Sequence, residues 1–461
     1  MTVTKNLKRS SVRGLALELL CEAEQPGERV HERLRSLQER SGLEGRDRAF
    51  LRELVYGTLR WRGYLDLALS RHLKNSLEGL PGPILNLLRL GAYQILFTDR
   101  VPARAAVNEA VLLARDRGFD GLTGLVNGVL RNLSRTETAD KKSIPSKVGS
   151  AVTGAEELAA STSHPFWMAE RWAARWGLKR AEQICRANNE LAPLTLRVNL
   201  RRSTPELLQE FLGEAGCEVK RGTLCPETLQ ISGGPEIPAL PGYREGWFQV
   251  QDEAATLMSR VVSPRPGQRV WDACGGPGGK ATHLAELMED EGFVLATDHH
   301  AGRLRRIGEN IRRLGLRAVM PARLDVLRGG LKAAQFDMVL LDSPCSGLGV
   351  LRRHPEAKWN KRKEDIKRLA ELELSLLRTV AGSVTPGGRL VYCVCSNELE
   401  ETRGVLQAFA DGASIRFSLE SPESDLPRAA RRFLCPDKTV EILPGDAGTD
   451  GFFVARWRRE D

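Results

Sequence analysis

From Arg269 to the C-terminus, short apolar runs alternate with helical stretches, and this alternation limits the possible folds more than any other feature. The runs are RVWDAC (269–274), FVLAT (293–297), DMVLLD (337–342) and RLVYCV (389–394), with a weaker one over 318–324. Helical stretches over 302–314 and 366–380 separate them. Repeated strand-then-helix units imply right-handed crossovers and a mostly parallel sheet with helices on both faces. Such sheets bind ligands beyond the carboxyl ends of their strands, and the chemistry-bearing motifs of this chain follow those ends.

Upstream the texture differs. Residues 1–135 read as successive helices: Val107, Ala110, Val111 and Ala114 share one helical face, and Ile84, Leu87, Leu88 and Gly91 share another. Residues 136–163 lose periodicity and are rich in Ser, Thr, Ala and Lys, the composition of a flexible linker. Residues 164–245 mix a helical start (HPFWMAERWAARWG), a strand over 194–200 and a helix over 206–215, which reads as a small α+β domain. The last domain then spans 246–461. The expected fold is therefore multidomain: all-α, then small α+β, then α/β.

Composition bounds the partners. A formal net charge of +9 is compatible with a polyanionic partner without naming one. No stretch approaches the roughly 20 apolar residues of a membrane span, and Glu18 interrupts the one apolar patch near the start, so no membrane partner and no secretion signal are expected. Nine cysteines, none in a CxxC pair, suggest neither a small disulfide framework nor a zinc site. Reduced thiols in the cytoplasm are the expectation.

CGGPGGK, from Cys274 through Gly275, Gly276, Pro277, Gly278 and Gly279 to Lys280, follows the first strand of the last domain and precedes a helix. Glycines there let backbone approach a ligand, and a helix N-terminus accepts negative charge. A P-loop, GxxxxGK(S/T), fails at Cys274 and Ala281, which removes a P-loop NTPase. The relaxed dinucleotide pattern GxGxx(G/A) is met by Gly276, Gly278 and Ala281, so the loop alone leaves the adenosine cofactor open. Asp298 ends the second strand, where an acid accepts from ribose hydroxyls; Asp325 follows the third and faces an adenine amino group in this reading; Asp342 ends the fourth.

Two cysteine blocks decide between a hydride carrier and a methyl donor. DSPCSG carries Cys345 and VYCVCSN carries Cys393 and Cys395. Hydride transfer has no use for them, whereas C5 of cytosine becomes nucleophilic only after something adds to C6, a task suited to a thiolate. Cys393, inside the apolar run, reads as a small buried hydrophobe.

VWDACGGPGGKATH, FDMVLLDSPCSGLGVLRRHPEAKW and LVYCVCSNELEE, flanked by FQVQDEAA (248–255) and DGFFVARW (450–457), resemble the signature blocks of RNA cytosine-C5 methyltransferases. DRAFLRELVYGTLR (47–60), LLRLGAYQILF (87–97), VPARAAVNEAVLLA (101–114) and LVNGVLRNL (125–133) resemble a NusB-like helical RNA-binding domain. The resemblance implies a class I, Rossmann-like methyltransferase domain using S-adenosyl-L-methionine, with RNA, small-subunit rRNA in this layout, as partner. It implies that Cys274 to Lys280, Asp298, Asp325 and Asp342 line the cofactor site, that Cys395 is the nucleophile, and that Cys345 is an accessory thiol. Asp342, expected to be buried, would hold the cytosine N3 and amino edge.

The chain departs from the family pattern at Gly275 and Gly276, where Ala is usual, at Val394, where Thr is usual, and at Thr402, where Asn is frequent. The two glycines are expected to be harmless or more permissive in the turn, and Val394 removes a hydroxyl contact. Three rivals stand beside this reading: Cys345 as the attacking thiol, by likeness to DNA cytosine methyltransferases; a cytosine-C5 methyltransferase acting on another RNA; and a non-enzymatic RNA-binding assembly factor with a degenerate methyltransferase domain. Arg352 and Arg353, next to the cysteine block, are expected phosphate contacts; Arg303, Arg305, Arg306, Arg312 and Arg313 form a basic helix that is either solvated or RNA-facing.

Overall fold

Two compact units divide the chain: Met1–Glu190 with Leu351–Lys361, and Leu191–Val350 with Arg362–Asp461. The structure is a computed structural model that describes residues 11–25, 30–137, 152–329, 331, 333–412 and 415–460.

The first unit is helical. Its opening helix, Val12–Glu22, begins where Ser11 accepts from the Gly14 amide at 3.1 Å, satisfying one of the orphan donors of a helix start. Gly82–Phe97 is buried almost all round and forms the centre. Ala103–Asp116 turns Val107, Ala110 and Ala114 inward, the face its spacing predicts. Gly91 lets Gly82–Phe97 approach Thr123–Glu137 closely: a Cβ there would lie 2.6 Å from Leu130 Cδ1, which would have to shift.

The linker expected over 136–163 is corrected at both ends. Thr136 and Glu137 complete the helix Thr123–Glu137, and Ala155–Thr162 is a helix with Leu158, Ala159 and Thr162 buried. Small apolar residues read as linker composition because Ala and Thr carry little periodic signal, yet here they pack beneath Phe166–Trp176. The remainder of that segment, 138–151, lies outside the described residues. The helices Phe166–Trp176 and Leu178–Asn189 fold with the first unit.

Leu351–Lys361, most of which was read as part of the block that carries Cys345, also folds with the first unit. Lys358 is fully buried there and donates to the Arg60 carbonyl (3.2 Å), the Ser163 carbonyl (3.3 Å) and Asn189 Oδ1 (2.5 Å). Burial, then Arg60, pull this amine well below the usual lysine range. Trp359 Nε1 donates to the Leu59 carbonyl at 2.7 Å.

The second unit holds two sheets. The smaller contains β1 (Leu194–Val198), β2 (Cys217–Arg221), β3 (Thr228–Gly233) and β4 (Phe248–Val250) in the order β2-β3-β1-β4, all antiparallel. Leu196, Val198, Leu229 and Phe248 pack with Leu208 and Leu212 of the helix Pro205–Glu214. The larger contains β5 (Arg269–Asp272), β6 (Phe293–Asp298), β7 (Val319–Arg323), β8 (Phe336–Asp342), β9 (Val384–Val394), β10 (Phe417–Leu419), β11 (Val440–Ile442) and β12 (Phe452–Arg459). Its order is β10-β12-β9-β8-β5-β6-β7, with β11 pairing β12. The pairs among β5 to β9 are parallel, as the alternation requires; β12 enters antiparallel between β9 and β10. Val270, Leu340 and Val391 pack into one face's core, and Trp271, Val339, Leu341, Leu390 and Tyr392 into the other's, the period-2 pattern of strands buried on both sides. Among the described residues no helix is long and apolar enough to cross a membrane.

Candidate active site

Strand order reverses between β5 and β8, because the chain runs outward from β5 through β6 and β7, then restarts at β8 on its other side. A crevice at such a switch point is where α/β sheets bind ligands. The glycine-rich loop leaves β5, turns through Gly278 (φ +101°) and starts the helix Gly279–Leu287. A left-handed φ at that position favours glycine.

Asp272, at the end of β5, is a residue the sequence reading missed. It is fully buried, and neither carboxylate oxygen reaches a hydrogen-bond partner. Burial, then Asp342, push it up to about 7, against the pull of Lys280. An acid closing an apolar strand run ahead of a glycine loop was the available signal. A buried carboxylate without a partner, facing a loop of small residues, fits a ligand that brings a cationic amine.

Lys280 donates to Asp342 Oδ2 at 2.7 Å, and Cys393 donates to Asp342 Oδ1 at 3.4 Å. Asp342 is therefore partly exposed and already paired, not buried as expected; it sits where β8 opens onto the crevice. Burial pulls Lys280 down, but Asp342 and the neighbouring acids outweigh it and leave the ammonium raised. Cys393 is fully buried, with its thiol pushed well up by burial.

Asp298 accepts from the His300 amide at 2.8 Å and pairs with Arg303 at 3.4 Å. A Cβ on Gly276 would lie 2.4 Å from Asp298 Oδ2 and 2.6 Å from Arg303 Cβ. The absence of a side chain at Gly276 is therefore not neutral in this chain: alanine would press on the Asp298–Arg303 pair. Asp325 is exposed and caps the turn Val326–Arg328, accepting from the Leu327 amide at 3.2 Å. Cys274, half-buried, is pushed up to about 12 by burial and then by Asp272.

Behind the loop, Arg197 of β1 was also missed. It is fully buried and donates to the Gly279 carbonyl (2.7 Å), to Thr282 Oγ1 (3.2 Å), to both Glu286 oxygens (2.8 and 3.2 Å) and to Gln251 Oε1. The glycine-loop helix is thus anchored to the smaller sheet through one guanidinium.

The two cysteine blocks converge. Cys345 Sγ and Cys395 Sγ lie 3.4 Å apart, both half-buried. The hydrogen bond shared with Cys395, then burial, push the Cys345 thiol well up. The loop after Cys345 closes against the end of β9, where the Gly349 amide donates to the Cys395 carbonyl at 3.0 Å. A Cβ on Gly349 would meet the Gly451 carbonyl at 2.4 Å.

Below the thiols lie two buried acids. Glu401 accepts from the Ser346 amide (2.6 Å), Ser346 Oγ (2.5 Å) and Ser396 Oγ. Glu373 lies with its Oε2 2.8 Å from the Tyr392 hydroxyl, which itself donates to the Glu401 carbonyl at 2.6 Å. Burial, then Glu401, push Glu373 up to about 10, against the pull of the Tyr392 hydroxyl bonded to it. Its signal was present: Glu373 shares the face of Ile366, Leu369, Leu376 and Leu377 in an amphipathic helix.

The basic residues divide. Arg352 is buried, so it is not the exposed phosphate contact expected of it, and Arg353 is half-buried. On the helix Ala301–Leu314, Arg303 serves Asp298 and Arg313 donates to the Phe248 carbonyl at 2.7 Å, while Arg305 and Arg312 stay exposed.

Residues 259–458 match the family model described as 16S rRNA methyltransferase RsmB/F, residues 10–135 that of the NusB family, and residues 164–237 that of the RsmF/B-like ferredoxin-like domain. The probable ribosomal RNA small subunit methyltransferase B of Bacillus subtilis is 37% identical, covering 98% of this chain and 100% of its own. The ribosomal RNA small subunit methyltransferase B of Klebsiella pneumoniae is 33% identical over 97% of this chain and 98% of its own. The crystal structure of PH0851 superposes with a TM-score of 0.80 at 25% identity, covering all of both chains. On residues, fold and sequence together, the chain belongs to the 16S rRNA methyltransferase RsmB/F family.

Proposed function

We propose that this chain transfers a methyl group from S-adenosyl-L-methionine to C5 of a cytosine in small-subunit rRNA, through a transient bond between Cys395 and C6. The observation that carries the reading is the pair of thiols 3.4 Å apart, on loops that follow β8 and β9, with Asp342 at the end of β8.

The residues around the switch point suit the donor. Asp272, buried and without a partner, would take the amino group of its methionine part; the glycine loop admits close backbone approach; Asp298 and Asp325 offer acceptors for ribose and adenine. When bound, S-adenosyl-L-methionine supplies an electrophilic methyl group to C5.

Everything else falls to this chain's own groups. The target base must leave its stack, at a cost of about a few kcal/mol. Cys395 adds to C6 as thiolate. Asp342 accepts from the cytosine amino edge, and the Lys280 ammonium bonded to it places positive charge beside the ring as negative charge develops there. After methyl transfer the C5 proton is lost to base, the C6–sulfur bond breaks and the C5–C6 double bond re-forms; Cys345, 3.4 Å from Cys395, is placed to protonate the departing sulfur. The geometry brings both thiols to one point, and the family's signature blocks support Cys395 as the attacking one.

The test is to incubate the full chain with small-subunit rRNA and methyl-labelled S-adenosyl-L-methionine and to map the label. Label on cytosine C5 supports the reading. Label on another atom, or none with wild-type protein that binds both substrates, refutes it.

A further inference from the structure

We propose that Glu401 is a positioning residue that holds the two thiols in register. The catalytic consequence rests on the reading of Cys395 as nucleophile; the geometric claim does not.

One carboxylate spans both cysteine loops. Its Oε1 takes the Ser346 amide, and its Oε2 takes the hydroxyls of Ser346 and Ser396. Ser346 and Ser396 each directly follow a cysteine, so these bonds fix the backbone immediately beside each thiol. The two hydroxyls also meet each other at 3.2 Å. Glu401 is itself moored to β9, because its carbonyl takes the Tyr392 hydroxyl at 2.6 Å, three residues before Cys395.

The site is dry: Glu401 and Ser396 are fully buried and Ser346 is 3% exposed, so water does not replace the carboxylate cheaply. Besides the serine hydroxyl contact, backbone bonds join the loops where the Gly349 amide donates to the Cys395 carbonyl and the Ser343 amide to the Cys393 carbonyl. Without Glu401, the two loops have three donors left unsatisfied or re-aimed, and the 3.4 Å spacing relaxes.

Glutamine and alanine at 401 separate spacing from charge. In Glu401→Gln the amide oxygen still accepts from the Ser346 amide, and the amino group donates to hydroxyls that turn round, so spacing survives while charge is lost. Glu401→Ala loses both.

The thiols themselves serve as the ruler. Diamide oxidises a close thiol pair to a disulfide: the two sulfurs bond, and their two hydrogens pass to diamide, reducing it to the hydrazine. The sulfurs must close from 3.4 Å to about 2.05 Å, so the rate reports their approach. In the full-length protein, with the Cys345–Cys395 disulfide followed by peptide mapping, Glu401→Ala is expected to slow the reaction at least about tenfold, and Glu401→Gln to stay within about threefold of wild type. Methyl transfer by Glu401→Ala should fall about 10²-fold in kcat with KM for RNA little changed, and Glu401→Gln should restore most of it.

Wild-type disulfide kinetics in Glu401→Ala, or equal slowing in both variants, overturns the proposal. Should Glu401→Ala fail to fold, the double variant Ser346→Ala/Ser396→Ala carries the same test, and wild-type kinetics there overturns it equally. The disulfide readout needs no RNA or methyl donor, so a failure of the proposed reaction shows in the methyl assay alone.

Discussion

Replacing Arg197 with methionine tests how the glycine-loop helix is held. The guanidinium is fully buried and makes a bidentate pair with Glu286, besides its bonds to Gly279 and Thr282. Methionine fills similar volume but strands the Glu286 carboxylate, which burial already pushes up against the pull of Arg197. Removing one partner of a buried ion pair costs about 3–5 kcal/mol. At about 1.4 kcal/mol per tenfold, that is a hundred- to several-thousand-fold increase in local opening. The assay is amide hydrogen exchange of peptides covering Gly279–Leu287, which reads local opening in a multidomain chain where one global unfolding energy is ill-defined.

The pH dependence follows in sign. Without Arg197, Glu286 in the folded state binds its proton more tightly than in the unfolded state, where its pKa is about 4.3. The folded state then carries the extra proton, so stability falls as pH rises through that window. After correction for intrinsic exchange, the defect should be larger at pH 8 than at pH 5. Adding Glu286→Leu removes the stranded charge and should recover a large part of the loss, though not that from the Gly279 and Thr282 acceptors. Exchange unchanged in Arg197→Met, or a double variant as damaged as the single, refutes the reasoning.

Cys395→Ala should abolish methyl transfer and adduct formation, whereas Cys345→Ala should accumulate a protein–RNA adduct on denaturing gels; the opposite pattern would exchange their roles. Gly276→Ala should weaken S-adenosyl-L-methionine binding measured by calorimetry, because its Cβ contacts at 2.4 and 2.6 Å force Asp298 or Arg303 to move, an overpacking cost of about 1–3 kcal/mol. Glu373, pushed up to about 10 when folded, holds its proton more tightly than in the unfolded chain, so its contribution to stability is present below the unfolded pKa and is lost as pH rises toward the folded value. Glu373→Gln should therefore flatten the pH dependence of amide exchange in the helix Lys363–Ala381, and an unchanged dependence would refute the raised value.

Much of the fold was legible because strands buried on both faces leave unbroken apolar runs. The β5, β6, β8 and β9 runs all carry this mark, although β9 begins at Val384, before its expected start, because Pro386 and two glycines mask the run. Strands β10 and β11 are three residues each, too short for any period to register. Site residues followed the same logic. Motif cysteines and glycines stand out by type, and Cys345 and Cys395 do meet. Glu401 did not stand out, since NELEE reads as a solvated acidic stretch until the serines after each cysteine are brought to it. Arg352 misled for the converse reason: a basic pair in a motif reads as surface, but Arg352 is buried in the helical unit.

The excursion of Leu351–Lys361 has a consequence for dissecting this protein. A truncated chain starting at Leu191 would retain Lys358 but lack Arg60, Ser163 and Asn189, the acceptors its amine uses. Trp359 would likewise lose the Leu59 carbonyl. That orphaned stretch begins six positions after Cys345, so the catalytic half expressed by itself would carry a loose end beside its own chemistry.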